Sequence, residues 1–169
     1  DYINDGGGGG SAEPGAELEQ LDADAFTVDV PTGWDVAVGP EAEAGDPPGT
    51  VRSTQLTSPD GSIRLTINRR PTDPRTPEEQ AASAEQSAAD QPGYRRLRYE
   101  PTTVGGRETF LWQFEKSDAE LGDAEATAYF LNFGGDAYRI QGNAVVSGQS
   151  PEEAALVARQ AAATLEPVG

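Results

Sequence analysis

The stretch VGGRETFLWQF, residues 104–114, decides the fold class because it joins a turn to a strand with an aromatic face. Phe110, Trp112 and Phe114 lie two residues apart, so in an extended chain their rings point to the same side of a sheet. The glycine pair that precedes this strand is typical of the tight turn between two antiparallel strands. The stretch therefore predicts a β-hairpin whose second strand is at least half buried.

Three neighbouring segments repeat this alternation and extend the hairpin into a four-stranded antiparallel meander. They are YRRLRYEPTTV, AEATAYFLNF and AYRIQGNAVVS, at residues 94–104, 124–133 and 137–147. The glycine pair, the acidic segment DAELGDAE and a GGD turn connect the four strands, and all three connections contain residues that favour turns. We therefore expect these strands to be neighbours in chain order.

The preceding part of the chain supplies three more predicted strands. AFTVDVPTGW, residues 25–34, alternates apolar and polar residues up to Pro31, and Trp34 is predicted to anchor the next turn against the core. Residues 50–70 form a predicted hairpin around the turn PDG, with one buried and one wet face. The breaker-rich segment between these elements is predicted to be an exposed loop.

Two helices share one start signal, a threonine or serine cap followed by Pro-Glu-Glu. The first is predicted to begin after Thr76 and to end near Asp90, and the second begins after Ser150. The second carries an apolar stripe, which must pack on the sheet. The element order predicts an α+β fold, a central antiparallel sheet of about seven strands flanked by helices.

Residues 1–24 are predicted to be a flexible acidic, glycine-rich tether, and residues 25–169 a single domain. The first five residues, DYIND, carry no tether chemistry and are interpreted as a tag or a fused peptide. Through the flexible linker, Tyr2 and Ile3 could reach a groove of this or a neighbouring molecule. They are therefore candidate peptide or tail residues at a binding site.

The charge and the missing residue types exclude several classes of function. The net charge is −17, and residues 1–50 hold 12 acidic residues and no basic one. Such a chain repels nucleic acid and anionic lipid, so a protein or a small molecule is the expected partner. Without histidine or cysteine there is no imidazole base and no thiolate. We predict no enzyme and no cofactor, and leave the oligomeric state open.

Arginines on the predicted strands form the first candidate site. Arg96 and Arg98 are predicted to alternate onto one face and, with Arg139, to form a cationic patch for an anionic ligand. The patch could extend to Arg69, Arg70, Arg75 and Arg95. The plainer interpretation, which is favoured, pairs these arginines with carboxylates across the strands, such as Glu100, Glu108 and Glu115.

Aromatic residues supply a second candidate site. Trp112 and Tyr138 belong to two rows that could line an apolar pocket between the sheet and a helix, where small ligands commonly bind. The rows are Phe110, Trp112 and Phe114, and Tyr129, Phe133 and Tyr138. Rows of this spacing are also what the core of a half-buried sheet requires, and the core interpretation is favoured.

The acidic segment SDAELGDAE supplies the only candidate metal ligands, Asp118, Glu120, Asp123 and Glu125. Carboxylate oxygens on a loop suit calcium, but the spacing lacks the D-x-D-x-D-G pattern of a calcium loop. A solvated acidic turn is therefore favoured over a metal site. A carboxylate-dependent enzyme needs two carboxyl groups in a cleft, and the sequence indicates none.

The motifs together resemble a known family. FTVDVPTGW, TPEEQA, VGGRETFLWQF, AYFLNFGGDAYRIQGNA and SPEEAALVARQAAATLEP occur in the order typical of the PsbP-like fold. The resemblance covers residues 25–168 and is to actinobacterial surface lipoproteins of the LpqN type and to extracytoplasmic sensor-like domains. It implies an α/β/α sandwich and a non-enzymatic binding or scaffold role.

The resemblance also implies a place in the cell. Bacterial lipoproteins carry a lipidated cysteine followed by a flexible tether, which GGGGGSAEPGAELEQ resembles. The leading prediction is an extracytoplasmic lipoprotein, held at the membrane only through an anchor cysteine that this sequence lacks. The alternatives are an extracytoplasmic sensor domain of a membrane kinase or regulator, and a carboxylate- or calcium-dependent enzyme.

Overall fold

The computed structural model describes residues 17–23, 26–38, 52–70, 74–118, 122–133, 135–145 and 150–167. These residues form ten strands and two helices. The strands are β1 (Leu18–Ala23), β2 (Phe26–Pro31), β3 (Asp35–Val38), β4 (Arg52–Thr57), β5 (Ile63–Arg70), β6 (Arg95–Val104), β7 (Arg107–Asp118), β8 (Gly122–Phe133), β9 (Asp136–Val145) and β10 (Glu166–Pro167). The helices are α1 (Pro77–Ala88) and α2 (Ser150–Thr164).

Seven of the strands form one antiparallel sheet in the order β3-β4-β5-β9-β8-β7-β6. The predicted meander is confirmed, since β6 to β9 pair in chain order. The predicted hairpin β4-β5 joins it through β5 and β9, which pair over eight residues from Ile63↔Ala144 to Arg70↔Ala137. The α+β class and the seven-stranded central sheet are therefore confirmed.

The two helices cover opposite faces of this sheet. Along β7, Phe110, Trp112 and Phe114 pack on the α1 side with Ala81, whereas Leu111 belongs to the core on the α2 side. The α2 core contains four apolar residues of that helix, Val157, Ala158, Ala161 and Ala162, together with Leu165 directly after it. The result is the predicted α/β/α sandwich, in which alternate residues of one strand serve two cores.

Helix α2 packs very close to the sheet. A Cβ atom on Gly142 of β9 would lie 2.5 Å from the carbonyl oxygen of Ala154 in the first turns of α2. At the other end, the Arg107 guanidinium donates to the carbonyl oxygens of Ala162 (3.1 Å) and Leu165 (2.5 Å). Ala162 belongs to the last turn of α2, and Leu165 follows the last helical residue. Backbone carbonyls at this end lack intrahelical donors, so Arg107 caps α2.

Helix α1 begins as its sequence predicts. The Glu79 backbone N–H donates to the Thr76 hydroxyl (3.1 Å), and the Thr76 N–H donates to the Glu79 carboxylate (2.8 Å). The capping box is thus complete, and Pro77 occupies the first turn. None of the described helices is long and apolar enough to cross a membrane.

The structure corrects the prediction at the start of the domain. β2 does not join the large sheet but forms a three-stranded sheet, β1-β2-β10, that packs against α2. β3 takes the edge position of the large sheet instead. Residues 18–23 were expected to belong to the tether, yet they pair along β2 from Leu18↔Pro31 to Ala23↔Phe26. LEQLDA has no strict alternation, so pairing with β2 and the packing of Leu21, rather than its own pattern, define this strand.

Candidate functional site

A groove lies between α1 and the uncovered part of the sheet. Its volume is about 270 Å³, which suits a small ligand. α1 forms one wall, and alternate residues of β5, β8 and β9 form the base. The lining residues are Asn68, Arg70, Arg75, Gln80, Ser83, Ala84, Ser87, Phe130, Ala137 and Arg139.

Arg139 is the residue of the groove whose environment is least usual. Its Cζ atom lies 5.5 Å from the ring centroid of Phe130 and 5.6 Å from that of Trp112. One Nη donates to the side-chain oxygen of Gln141, which in turn donates to Asn143 (2.9 Å). The Nε atom is inaccessible to solvent and has no hydrogen-bond partner. Two aromatic faces and one amide oxygen are thus the described contacts of this half-buried guanidinium.

The charge of Arg139 is not neutralised by a carboxylate. Across the part of the chain that the structure describes, no acidic side chain forms an ion pair with it. Burial lowers the pKa of Arg139 to about 10, so the group still carries its charge at neutral pH. Arg139 is half-buried and no described carboxylate pairs with it, which makes this arginine a candidate contact for an anion.

The other polar groups of the groove are held in place by local contacts. Gln80, in the first turn of α1, donates to the carbonyl oxygen of Arg75 (3.1 Å) and to Asn132 (2.6 Å), and Asn132 also donates to that carbonyl (2.7 Å). Ser53 donates to the side-chain oxygen of Asn68 (2.5 Å). The segment before α1 is therefore tied to β8, which keeps Arg75 at the mouth of the groove.

The lining is strongly biased toward donors. It contains three arginines, Arg70, Arg75 and Arg139, together with two serine hydroxyls, and none of the described lining residues is acidic. This is notable in a chain with a net charge of −17. The described lining thus offers guanidinium and hydroxyl donors and no carboxylate, which favours an oxyanion over a cation as the ligand.

The prediction that Arg96 and Arg98 share one face is wrong. β6 contains a bulge between them, so Arg96 pairs with Phe114 and Arg98 with Gln113, two neighbours that face opposite sides. The extra residue, Leu97, reverses the alternation. Arg96 forms an ion pair with Glu85 of α1, and Arg98 pairs along its own strand with Glu100 (2.5 Å). Neither lines the groove, and only Arg139 of the predicted patch trio does.

The favoured pairing of strand arginines with carboxylates applies to part of the set. Arg95 pairs across the strands with Glu115 (2.7 Å), as expected. Arg69 pairs with Asp136 (2.6 Å), and neither of them lines the groove. Arg70, Arg75 and Arg139 line the groove. The arginines that were predicted as one patch therefore do not form a single surface.

The two aromatic rows do not face a common pocket. Trp112 is fully buried on the α1 side, whereas Tyr138 packs edge-on against Phe26 (5.8 Å) in the α2 core. They lie on opposite faces because their strands present alternate residues to each side. Most members of both rows are core, and Trp112 approaches the ligand groove only through its contact with Arg139.

The acidic segment shows no converging ligands among its described side chains. Asp123 accepts a bond from Ser117 (3.3 Å), and Glu125 lies directly opposite Glu115 on β7. Burial and the charge of Glu115 raise the pKa of Glu125. Glu120, the side chain of Asp118, Tyr2 and Ile3 lie outside the described residues. Across the described part of the chain there is no cluster of three potential metal ligands.

A charge network fixes α1 beside the groove. Glu85 accepts two bonds from Arg96 (2.6 and 2.5 Å) and one from the Tyr94 hydroxyl (2.5 Å). That hydroxyl also accepts a bond from the Trp112 indole N–H (3.2 Å). The hydrogen bond from Arg96, and then that from Tyr94, hold the pKa of Glu85 below its ordinary value of 4.5. The network therefore connects the α1 wall to β6 and β7.

Replacing Glu85 with glutamine should lower the free energy of unfolding by about 1 kcal/mol at neutral pH, because Arg96 is half exposed and the pair is partly screened. A carboxyl whose folded-state pKa is lowered contributes stability above its unfolded pKa and loses it as the pH falls. The difference in free energy of unfolding between the wild type and the Glu85→Gln variant should therefore shrink below pH 4.5. Urea denaturation between about pH 3 and 7 measures it, with Glu108→Gln as a surface control. A difference that is constant over this range would contradict the prediction.

Several groove residues were missed by the sequence analysis, namely Asn68, Gln80, Ser83 and Ser87. Their spacing contains a usable signal. Asn68 and Arg70 are two residues apart on β5, and the α1 residues are three, four and seven positions from Gln80, on one helix face. Nothing in the sequence indicates, however, that this helix face meets that strand face, because the two elements do not pair locally.

Comparison with known families finds one family model that matches this chain. The family model described as serine/threonine kinase C-terminal domain matches residues 19–165. The chain belongs to this family. The match covers both helices and the whole seven-stranded sheet, and it begins within β1, which agrees with the pairing of β1 and β2. No curated protein matches the chain.

Solved structures confirm the predicted PsbP-like fold. Cyanobacterial PsbP (CyanoP) from Synechocystis sp. PCC 6803 is similar with a TM-score of 0.59 and 10% identity over 95% of this chain and 98% of that chain. A protein from Bacteroides thetaiotaomicron has a TM-score of 0.51 and 15% identity over 85% of this chain, which spans only 45% of that protein. LpqN of Mycobacterium tuberculosis, involved in cell envelope biogenesis, has a TM-score of 0.46 and 16% identity over 90% and 91%. At these identities the likeness concerns the fold alone.

Proposed function

We propose that this chain is a non-catalytic ligand-binding domain that a serine/threonine kinase carries outside the cytoplasm. The observation that carries the proposal is the groove beside α1, with the half-buried Arg139 on its base. Family membership supports the link to a kinase. The groove lies between α1 and the strands β5, β8 and β9, so a ligand in it would contact the helix and the sheet at once.

Catalysis is not part of the proposal. The sequence has no histidine and no cysteine, which removes the commonest general base and the thiolate nucleophile. Ser83 and Ser87 line the groove without a base in the lining. Three arginines and two hydroxyls can hold a ligand by hydrogen bonds but supply no group to abstract a proton. The arrangement supports recognition.

The lipoprotein hypothesis remains the second candidate, and it differs in the anchor rather than in the role of the domain. Its support is the composition of residues 6–20, which resembles a lipoprotein tether. The same composition would serve as a linker between a membrane span and a sensor domain. The sequence encoded upstream of this chain distinguishes the two hypotheses. A lipobox cysteine there would support the lipoprotein, whereas a kinase domain followed by a membrane span would support the sensor domain.

The binding proposal predicts that a small ligand stabilises the domain only when the groove is open. A panel of small anions, sugars and amino acids is screened by thermal unfolding with the 169-residue chain. A ligand at about 100 times its Kd should raise the Tm by about 5–10 °C. Ser83→Trp fills the groove and should abolish the shift, whereas the exposed neighbour Gln86→Trp, which does not line it, should not. A shift that persists in Ser83→Trp would place the ligand elsewhere and refute the site.

A further inference from the structure

We propose that α1 is a lid that leaves the sheet as a unit while α2 and the seven-stranded sheet stay folded, and that this opening uncovers the aromatic face of β7 and β8. The inference goes beyond the proposed function, because it concerns the closed and open states of α1 whether or not a ligand occupies the groove. It starts from the contrast between the two helices, which cover opposite faces of one sheet through separate clusters of buried residues.

The contact surface of α1 consists of small apolar side chains. Ala81 is fully buried, and Ala84 and Ala88 are partly buried against the same cluster. Each of them offers a single methyl group, so α1 itself contributes little apolar area to the contact. The residues that α2 buries are larger and more numerous, namely Ala154, Val157, Ala158, Ala161 and Ala162. The hydrophobic effect therefore holds α1 less firmly than α2.

The hydrogen bonds that fix α1 on the sheet lie close to water. Near the start of the helix, Gln80 donates to Asn132, which is exposed. Near its end, Glu85 accepts from Tyr94 and from Arg96, whose side chain is half exposed. Water can replace such bonds, so their net contribution to stability is small, and salt screens the ion pair. These bonds set the position of the closed helix but oppose its opening only weakly.

The rest of the domain has a core that does not include α1. Leu111 of β7 and Tyr129 and Leu131 of β8 face the other side of the sheet, where they pack in the cluster of α2 and β2. The strands pair with one another from β3 to β6, and α1 is not part of that ladder. A segment with few buried apolar contacts of its own opens locally at a lower free energy than global unfolding. The fold therefore allows α1 to open while the sheet and α2 stay in place.

The opening of α1 changes two surfaces at once. In the closed state, α1 forms one wall of the groove through Gln80, Ser83, Ala84 and Ser87. The same helix covers a cluster on the sheet that consists of Phe110, Trp112, Phe114, Ala126, Ala128 and Phe130. When α1 leaves the sheet, the groove loses its wall and the aromatic face becomes accessible. The two surfaces are thus available only in different states, and any ligand that binds one of them shifts the equilibrium away from the other.

The test is thiol labelling of single-cysteine variants, since the chain has no cysteine of its own. Ala81→Cys places the thiol on α1, Ala128→Cys on the strand beneath it and Ala158→Cys on α2, and all three positions are 0% exposed. Each 169-residue variant is treated with iodoacetamide at several urea concentrations, and mass spectrometry follows the reaction. We expect the first two thiols to react at a common rate, about 100-fold or more faster than the third. Their rates should also depend less on urea, because opening α1 exposes less surface than global unfolding.

Urea denaturation gives the global stability of each variant, and the labelling rates are corrected for it. If a cysteine variant fails to fold, amide hydrogen exchange of the wild-type protein gives the same comparison. The amides of α1 should exchange about 100-fold or more faster than those of α2 and β8, because an isolated helix of 12 residues is marginal in water.

Two results would overturn the proposal. The first is equal labelling of all three cysteines, or equal protection of the α1 and α2 amides, because α1 would then open only with the whole domain. The second is fast labelling of Ala81→Cys with slow labelling of Ala128→Cys, because the helix would then fray without uncovering the sheet.

Discussion

Replacing Trp112 with alanine should lower the free energy of unfolding by about 3–5 kcal/mol, the range for deleting a large buried aromatic side chain. Trp112 has 0% of its surface exposed and stacks on Phe114 with ring centroids 4.0 Å apart. It also contacts Phe130, and its indole N–H donates to Tyr94. The lower stability therefore has three causes: lost packing, a residual cavity beneath α1, and a Tyr94 hydroxyl that no longer accepts a bond from the indole N–H.

The measurement is urea denaturation followed by far-ultraviolet circular dichroism, with Trp112→Phe as the matched variant. Phenylalanine keeps an apolar ring in the core and loses only the larger indole and its N–H, so its cost should be about 1–2 kcal/mol. A Trp112→Ala cost below about 1 kcal/mol would mean that α1 does not pack on Trp112 as described. Because Arg139 lies over this ring, Trp112→Ala should also weaken any ligand that binds in the groove.

Replacing Gly142 with alanine should destabilise the domain by about 1–3 kcal/mol, and replacement with valine should cost more. The new Cβ would lie 2.5 Å from the Ala154 carbonyl oxygen and 3.1 Å from its carbon, and both are backbone atoms of α2. Backbone cannot rotate out of the way as a side chain can, so α2 must move away from β9. Residue 142 does not have a positive φ, and the cost therefore reports packing rather than conformational strain.

Gly106→Ala is the control for conformation alone. Gly106 has φ +77 and no atom within 4 Å of an added Cβ, so its replacement should cost about 1 kcal/mol through backbone strain only. Thermal and urea unfolding of the two alanine variants and Gly142→Val measure the ranking. A Gly142→Val protein as stable as wild type would contradict the close approach of α2 to the sheet.

The parts of the fold that were predictable are those encoded locally. The meander could be predicted because each strand alternates within itself and its neighbours are joined by short turns. The start of α1 was predictable because the capping box lies within four residues, from Thr76 to Glu79. In both cases the determining interactions are close in sequence, which is where pattern and structure are most tightly coupled.

The predictions that were wrong or missing concern features that depend on contacts between segments far apart in the sequence. The bulge between Arg96 and Arg98 shifts the register by one residue, and nothing in RRLR marks it. β1 exists because it pairs with β2, although LEQLDA has little strand pattern of its own. The groove is formed by β5, β8, β9 and α1, so Arg139 could be proposed as a binding residue but its companions Ser83 and Ser87 could not.

The most direct test of the account is the position of a bound oxyanion. Crystals of the 169-residue chain are soaked in selenate, and anomalous diffraction at the selenium edge locates the anion. We expect a selenium peak in the groove beside the Arg139 side chain, and no such peak in Ser83→Trp crystals. Selenate found only at other surfaces, with the groove of the wild-type protein empty at saturating concentration, would contradict it.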